Sequence, residues 1–196
     1  MAHHIYNTEG YVLESSPTGE ANKMFSIFTR ELGMVRAAAQ GVRLQKSKLR
    51  FSLQDFTHVQ LSLVRGKDIW RITNAKGEEN LYLEHSHNKA AIKVIAHIFL
   101  LVRRLVRGEE KNEELFDILF QAFRFLKSTE LTPDQNSAFE CILVLQILHN
   151  LGYGGSSAEL SLFITTPMSI ELLEKMGSVK KIAYQEINRS LKETQL

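Results

Sequence analysis

Cysteine is almost absent from this chain: of 196 residues only Cys141 carries a thiol. That excludes an intramolecular disulfide and any cysteine-rich structural zinc site, and no feature demands an oxidising compartment. Long apolar runs are missing too. The most apolar stretch, Val94 to Val102, is about half the length a bilayer-spanning helix needs. Cys141 to Ala158 has no formal charge, but it contains Gln146, His149, Asn150, three glycines and two serines, so it reads as a buried helix running into a loop. The opening Met1-Ala2-His3-His4-Ile5 has no basic segment followed by an apolar run, so no secretory peptide is visible. His3-His4 reads either as native or as a tag remnant. A large excess of one charge is also lacking, because 24 Lys plus Arg stand against 22 Asp plus Glu, a net of +2. The expected class is a cytoplasmic protein without a membrane segment, and with 44% apolar residues it has enough material for a core.

Catalytic signatures are missing as well. There is no phosphate-binding P-loop, no G-x-S-x-G and no H-E-x-x-H. His85-Ser86-His87 sets two imidazoles close together, yet no third ligand stands nearby, and a surface role at a helix start is the expectation. His97 lies in an apolar helical pattern and reads as a hydrogen-bonded core histidine. Cys141, beside Phe139 and Ile142, reads as a small buried hydrophobe. Glu109-Glu110 and Glu113-Glu114 read as helix-boundary charges. The expectation is a protein that is not an enzyme and holds no cofactor and no metal.

What is present is an uneven distribution of charge. Residues 1–80 carry 11 basic and 8 acidic side chains, and residues 81–196 carry 13 and 14. Between Arg30 and Arg50 six basic residues (Arg30, Arg36, Arg43, Lys46, Lys48, Arg50) face Glu31 alone, a net of +5 over 21 residues. Such a segment is either an ordinary solvated loop or an electrostatic footprint for nucleic acid.

Hydrophobic periodicity divides the chain in two. The first 75 or so residues alternate as strands. Tyr11-Val12-Leu13 leads into the turn-rich Ser15-Ser16-Pro17-Thr18-Gly19. Met24 to Arg30 is expected to pair with Met34 to Gln40 across Glu31-Leu32-Gly33, which sets Arg30 and Arg36 on opposite arms of one hairpin, where they could lie side by side. Val59, Leu61 and Leu63 alternate with polar residues, and Ile69 to Thr73 returns after Arg65-Gly66-Lys67-Asp68. About five short strands with a basic loop in the middle fit an OB-fold well, with an SH3-like barrel as the alternative.

From about residue 80 the period is helical. Lys89 to Val106 is apolar on most faces and is expected to be central in a bundle. Asn112 precedes Glu113 and Glu114, which suit a helix start, and Leu115, Leu119, Ala122 and Leu126 form one stripe. Thr132-Pro133-Asp134-Gln135 is a capping box opening a helix to about Leu151, ended by Gly152. Two further helices are expected at about Met168–Met176 and Val179–Leu191, separated by Gly177-Ser178. The fold class is thus two-part, β then α: a five-stranded OB-fold barrel over residues 1–77 and an all-α helical domain over residues 78–196.

OB-folds bind single strands by combining a basic groove with stacking aromatics. Tyr11, Phe25, Phe28, Phe51, Phe56 and Trp70 are the aromatics available. Most must fill so small a barrel, which leaves Phe51 or Trp70 as stacking candidates.

The order Glu9-Gly10-Tyr11-Val12-Leu13, Gly19-Glu20, Phe28-Thr29-Arg30-Glu31-Leu32-Gly33 resembles the start of the bacterial recombination mediator family RecO. The likeness continues through Val35 to Arg43, Lys46-Ser47-Lys48-Leu49-Arg50, Leu53-Gln54-Asp55-Phe56 and Arg65-Gly66. Glu114-Leu115-Phe116 and Leu151-Gly152-Tyr153 resemble the family's helical domain. The resemblance implies a non-enzymatic mediator of DNA repair and homologous recombination. Such a protein binds single- and double-stranded DNA, anneals complementary strands and assists loading of a RecA-type recombinase. The implied partners are a RecR-like protein and the acidic tail of the single-strand DNA-binding protein. The implied location is the bacterial cytoplasm, in association with the nucleoid. The family's basic loop maps onto Arg36, Arg43, Lys46, Lys48 and Arg50.

Two departures stand out. Gln40 occupies a step where family members often carry a basic residue. The four-cysteine zinc module that many members place after Leu-Gly-Tyr has no counterpart, since Gly154-Gly155-Ser156-Ser157 follows directly, so the resemblance is to a shortened member without that module. Two other readings stay open. Arg103, Arg104 and Arg107, at the end of an apolar helix, either complement the helix dipole or meet an acidic, apolar peptide such as that tail, making the protein an interaction adaptor. An RNA-binding OB protein would present the same charge.

Overall fold

The computed structural model describes residues 4–154 and 158–194. Of the His3-His4 pair, His3 lies outside them, as do Gly155-Ser156-Ser157 of the stretch that follows Leu151-Gly152-Tyr153. The chain divides into two compact units. One is built from residues up to Glu84 together with Val106–Glu113, the other from His85–Leu105 together with residues from Glu114 onward.

The first unit is a five-stranded barrel. Its strands are β1 (Ile5–Thr18), β2 (Asn22–Thr29), β3 (Gly33–Ala39), β4 (Thr57–Arg65) and β5 (Trp70–Asn80), closed in the order β1-β2-β3-β5-β4. Every pairing is antiparallel except β3 with β5, which is parallel and registers only Ala37 with Trp70 and Ala38 with Arg71, so the ring shuts through a short seam. β1 is far longer than the Tyr11–Leu13 segment expected and runs through the stretch expected to turn. One strand serves two partners: Ile5 to Tyr11 pair with β4, and Gly10 to Thr18 with β2, with a bulge between Val12 and Glu14. Pro17 is tolerated because β1 has left β4 by that point and has no second neighbour to donate to. Where β1 changes partner, a Cβ on Gly10 would stand 2.9 Å from the carbonyl oxygen of Phe28, so only glycine lets the strands approach.

Alternation along β2, β3 and β4 directs Phe25, Ile27, Val35, Ala37, Ala39, Val59, Leu61 and Leu63 inward, where they meet Val12, Trp70 and Ile72. Val42 and Leu53, from the connection between β3 and β4, complete the same core. That connection contains a short helix, α1 (Leu49–Ser52), and β5 is followed by α2 (Leu81–Glu84). The Val106–Glu113 segment returns to the barrel. Met34 N donates to Gly108 O at 3.1 Å, and Arg65 bonds Glu109.

The second unit holds α3 (Lys89–Leu105), α4 (Glu113–Ser128, whose first residue belongs to the barrel unit), α5 (Pro133–Asn150), α6 (Ser161–Thr165) and α7 (Ile170–Glu193). α5 begins with the expected capping box, the Thr132 hydroxyl accepting from Gln135 N while the Gln135 side chain accepts from Thr132 N. Its buried residues lie on all sides, from Asn136 and Phe139 to Ile147 and Leu148, so α5 is the central helix. α3, expected at the centre, is instead amphipathic. Ala91, Val94, Ile95, Ile98, Phe99, Val102 and Leu105 form one buried stripe while Leu100 stays exposed. The two expected C-terminal helices are one, since α7 passes through Gly177-Ser178 unbroken, with Leu172, Leu173, Met176, Ala183 and Ile187 along its buried face. Among the described residues no helix is long and apolar enough to cross a membrane.

Candidate nucleic-acid interface

The basic segment covers one end of the barrel. Its course is fixed by backbone contacts: Gly41 N donates to Asn22 Oδ1 at 2.9 Å, and Arg43 N to Ala21 O at 2.9 Å. Gly41, at φ +64°, takes the left-handed turn that leaves β3, and Leu44 N and Ser47 N close successive turns onto Gly41 O and Leu44 O at 3.0 Å each. The segment re-enters the core at Leu53, whose N–H bonds Leu49 O at 3.0 Å. Apolar anchors at both ends, Val42 and Leu53, therefore hold a cationic arc over the barrel mouth.

Within that arc Arg43, Lys46, Lys48 and Arg50 are all exposed. Arg43 also reaches across the mouth, donating through Nη1 to Gly19 O at 3.0 Å. A hollow of about 340 Å³ opens beside it, lined by Lys23, Val42, Arg43, Arg50 and Leu53. Lys23 was not among the residues expected from sequence. It sits on β2, registered with Ala39 at the point where β3 ends, and its Nζ donates to Ser15 Oγ at 3.1 Å. Hairpin register, rather than local charge density, brings it to the mouth. Among the described residues none of Lys23, Arg36, Arg43, Lys46, Lys48 and Arg50 has a carboxylate partner.

Arg36 is exposed on β3 opposite Ser26, on the outer wall and apart from the residues lining the hollow. Arg30 does not lie beside it. It falls past the Thr29–Gly33 pair, roughly 14 Å further along the ribbon at about 3.4 Å per residue. There its Nε donates to Glu9 Oε1 at 2.5 Å, and Glu9 Oε2 lies 3.0 Å from His58 Nε2. The His58 ring packs on Tyr11, centroids 5.0 Å apart, and burial, with Glu79 and Glu9 adding to it, pushes the Tyr11 hydroxyl far above its ordinary value.

Trp70 is no stacking platform. It is buried, edge-on to Tyr6 with the Arg65 guanidinium 5.0 Å from its ring centre. Tyr11, Phe25 and Phe28 are buried too, whereas Phe51 is exposed. The histidines depart from expectation in both directions. His85 is buried and His87 exposed, while His97, expected in the core, is an exposed residue of α3 whose Nδ1 lies 2.9 Å from Glu140 Oε1 of α5. Cys141 is buried, and that burial pushes its thiol up to about 11. Arg103 and Arg104 occupy the last turn of α3, where they complement its dipole, and Arg107 lies beyond it in the segment that folds with the barrel.

Residues 1–80 match the family described as Recombination protein O N terminal, and residues 90–157 match Recombination protein O C terminal. A DNA repair protein RecO of Heliobacterium modesticaldum is 31% identical over 170 residues, 87% of this chain and 59% of that protein. One from Alkaliphilus metalliredigens is 28% identical over 127 residues, 65% of this chain and 51% of that protein. One from a Nocardioides species is 32% identical over 136 residues, 67% of this chain and 54% of that protein. The chain therefore spans little more than half the length of these relatives.

Proposed function

Because the chain belongs to the RecO family, we infer that it is a non-enzymatic factor of DNA repair and recombination that binds single- and double-stranded DNA and anneals complementary strands. The observation that carries this reading is the barrel mouth, where Lys23, Arg43 and Arg50 line one hollow and Lys46 and Lys48 stand exposed on the same segment, none with a carboxylate partner among the described residues. Cations not neutralised by a carboxylate are available to phosphates, and an arc anchored at Val42 and Leu53 loses little freedom when it meets them. Annealing needs no nucleophile. Neutralising phosphates on two strands lowers their repulsion, and base pairing then supplies the free energy. Arg36, on the outer wall, extends the contact, while Arg30 serves the barrel through Glu9.

Family membership extends the proposal to assistance in loading a RecA-type recombinase, with a RecR-like protein and the tail of the single-strand DNA-binding protein as partners. The division of the chain for these roles is a DNA-binding OB-fold over residues 1–77 followed by an α-helical domain over residues 78–196.

Equilibrium binding of a single-stranded oligonucleotide and an annealing assay, both run across a salt series, test the reading. Log K is expected to fall by about 0.7 per phosphate neutralised for each decade of salt. Replacing Arg43, Lys46, Lys48 and Arg50 by Ala flattens that slope and slows annealing, and an unchanged slope rejects the assignment. Competition between DNA and RNA of one sequence separates this protein from an RNA-binding one.

A further inference from the structure

Phe51 is the most exposed large apolar side chain among the described residues, at 74%. Its position follows from the turn that carries it. Leu49 and Leu53, four residues apart, share the inward face and pack against the barrel core, so Phe51, two positions from each, projects outward. It follows Arg50 directly, and Arg50 lines the hollow with Lys23 and Arg43. A flat apolar ring held in water next to Arg50 sets a stacking face on the same arc that offers phosphate contact. Leu44, 57% exposed on the same arc, adds a second apolar contact.

We propose that Phe51 stacks on an unpaired base and makes the barrel mouth select single strands over duplex. The proposal rests on the DNA-binding reading above and names the form of nucleic acid the site takes. Every base has a π-face, so stacking is indifferent to sequence, but in a duplex those faces are already covered by neighbouring pairs. Phosphates alone draw both forms to the cations; only an unpaired strand also satisfies the ring. The other surface attracted to cations plus exposed apolar groups is an anionic membrane. A four-residue helix has no amphipathic face to lay on one, and two apolar side chains are few for an anchor.

The test uses the full chain with Phe51→Leu and Phe51→Trp. Its probes are a 20-nucleotide single strand, a duplex of the same length and an abasic strand with the same phosphates. In the wild type the ordinary strand is expected to bind more tightly than the abasic one. Phe51→Leu lowers the ratio of single-strand to duplex affinity about 5- to 150-fold and brings the ordinary and abasic strands together. Phe51→Trp retains the preference, and its emission is quenched when the single strand is added. An unchanged ratio in Phe51→Leu, or an unquenched Trp in the bound complex, overturns the proposal. So does a Phe51→Leu variant that loses affinity for phosphatidylserine–phosphatidylcholine vesicles while keeping its single-strand preference. Failure of the wild type to bind any nucleic acid would sink the DNA-binding reading as well; intact salt-dependent binding without a Phe51 effect sinks this inference alone.

Discussion

The Arg30 guanidinium donates to the Glu9 carboxylate at 2.5 Å, and both side chains are about one-fifth exposed. Because Glu9 also meets His58 across the β1–β4 pairing, it ties β4 to the residue that follows β2. Arg30→Ala is expected to destabilise the barrel by about 1 to 2 kcal/mol, the range for a partly exposed charge-assisted hydrogen bond. It should leave the salt dependence of DNA binding as it is in the wild type. Urea midpoints and a salt titration on the same variant check both halves. A flattened slope with unaltered stability would return Arg30 to the phosphate-binding set.

Lys23 makes the opposite prediction. Its side chain lines the hollow shared with Arg43 and Arg50, and its hydrogen bond to Ser15 is the kind water replaces easily. Lys23→Ala should weaken single-strand binding to a similar degree across sequences and reduce the salt slope by about 0.7, with little change in urea midpoint. Wild-type affinity at every salt concentration would remove it from the interface.

How far these sites were legible depended on whether they were local. The Arg43–Arg50 arc shows as a run of cations, and the capping box at Thr132 and the hairpin turn at Glu31–Gly33 are written in adjacent residues. Lys23 is a lone cation in a strand. It becomes visible only by counting pairs back from that turn until it stands opposite Ala39. The commitment of Arg30 to Glu9 joins residues 21 positions apart through the β1–β2 register, which the bulge after Val12 shifts by one. Trp70 and His97 depart from expectation because composition says how apolar a segment is without saying which face the fold covers. α3 shows its apolar stripe to the core and turns His97 towards Glu140 at the surface.

Gln146 is buried in α5, and its amide donates to Phe163 O at 3.0 Å and to Thr166 O at 3.1 Å. Those two bonds tie the segment around α6 to the central helix. Gln146→Leu keeps the side-chain bulk but leaves both carbonyls without their donor, at about 1 to 3 kcal/mol. Faster amide exchange and proteolysis confined to residues 158–168 are expected. Protection equal to the wild type would show that apolar packing of Phe163 alone suffices.

Cys141 gives a pH prediction with a definite sign. Burial raises its thiol from an ordinary value near 9 to about 11. Between those values the unfolded chain has lost the proton and the folded chain has kept it, so its contribution to stability is present below pH 9 and is lost as pH rises towards 11. The stability advantage of the wild type over Cys141→Ala should narrow through that window, measured by urea unfolding at fixed temperature. A constant gap would mean that the thiol ionises equally well in both states.

Two glycines should respond oppositely to the same substitution. Gly177 lies inside α7 with nothing within 4 Å of where a Cβ would stand, so its only contribution there is the backbone freedom that a helix must suppress. Gly177→Ala is expected to stabilise the helical unit by about 0.5 to 1 kcal/mol. At Gly10 a Cβ would meet Phe28 O and Ile27 Cγ2 at 2.9 Å each, and the carbonyl belongs to a paired strand that cannot move alone. Gly10→Ala should therefore cost about 1 to 3 kcal/mol in the barrel. Urea unfolding of the two variants reads both signs. If Gly177→Ala proved destabilising, α7 would have to bend or part at the Gly177-Ser178 step, as a pair of separate helices would.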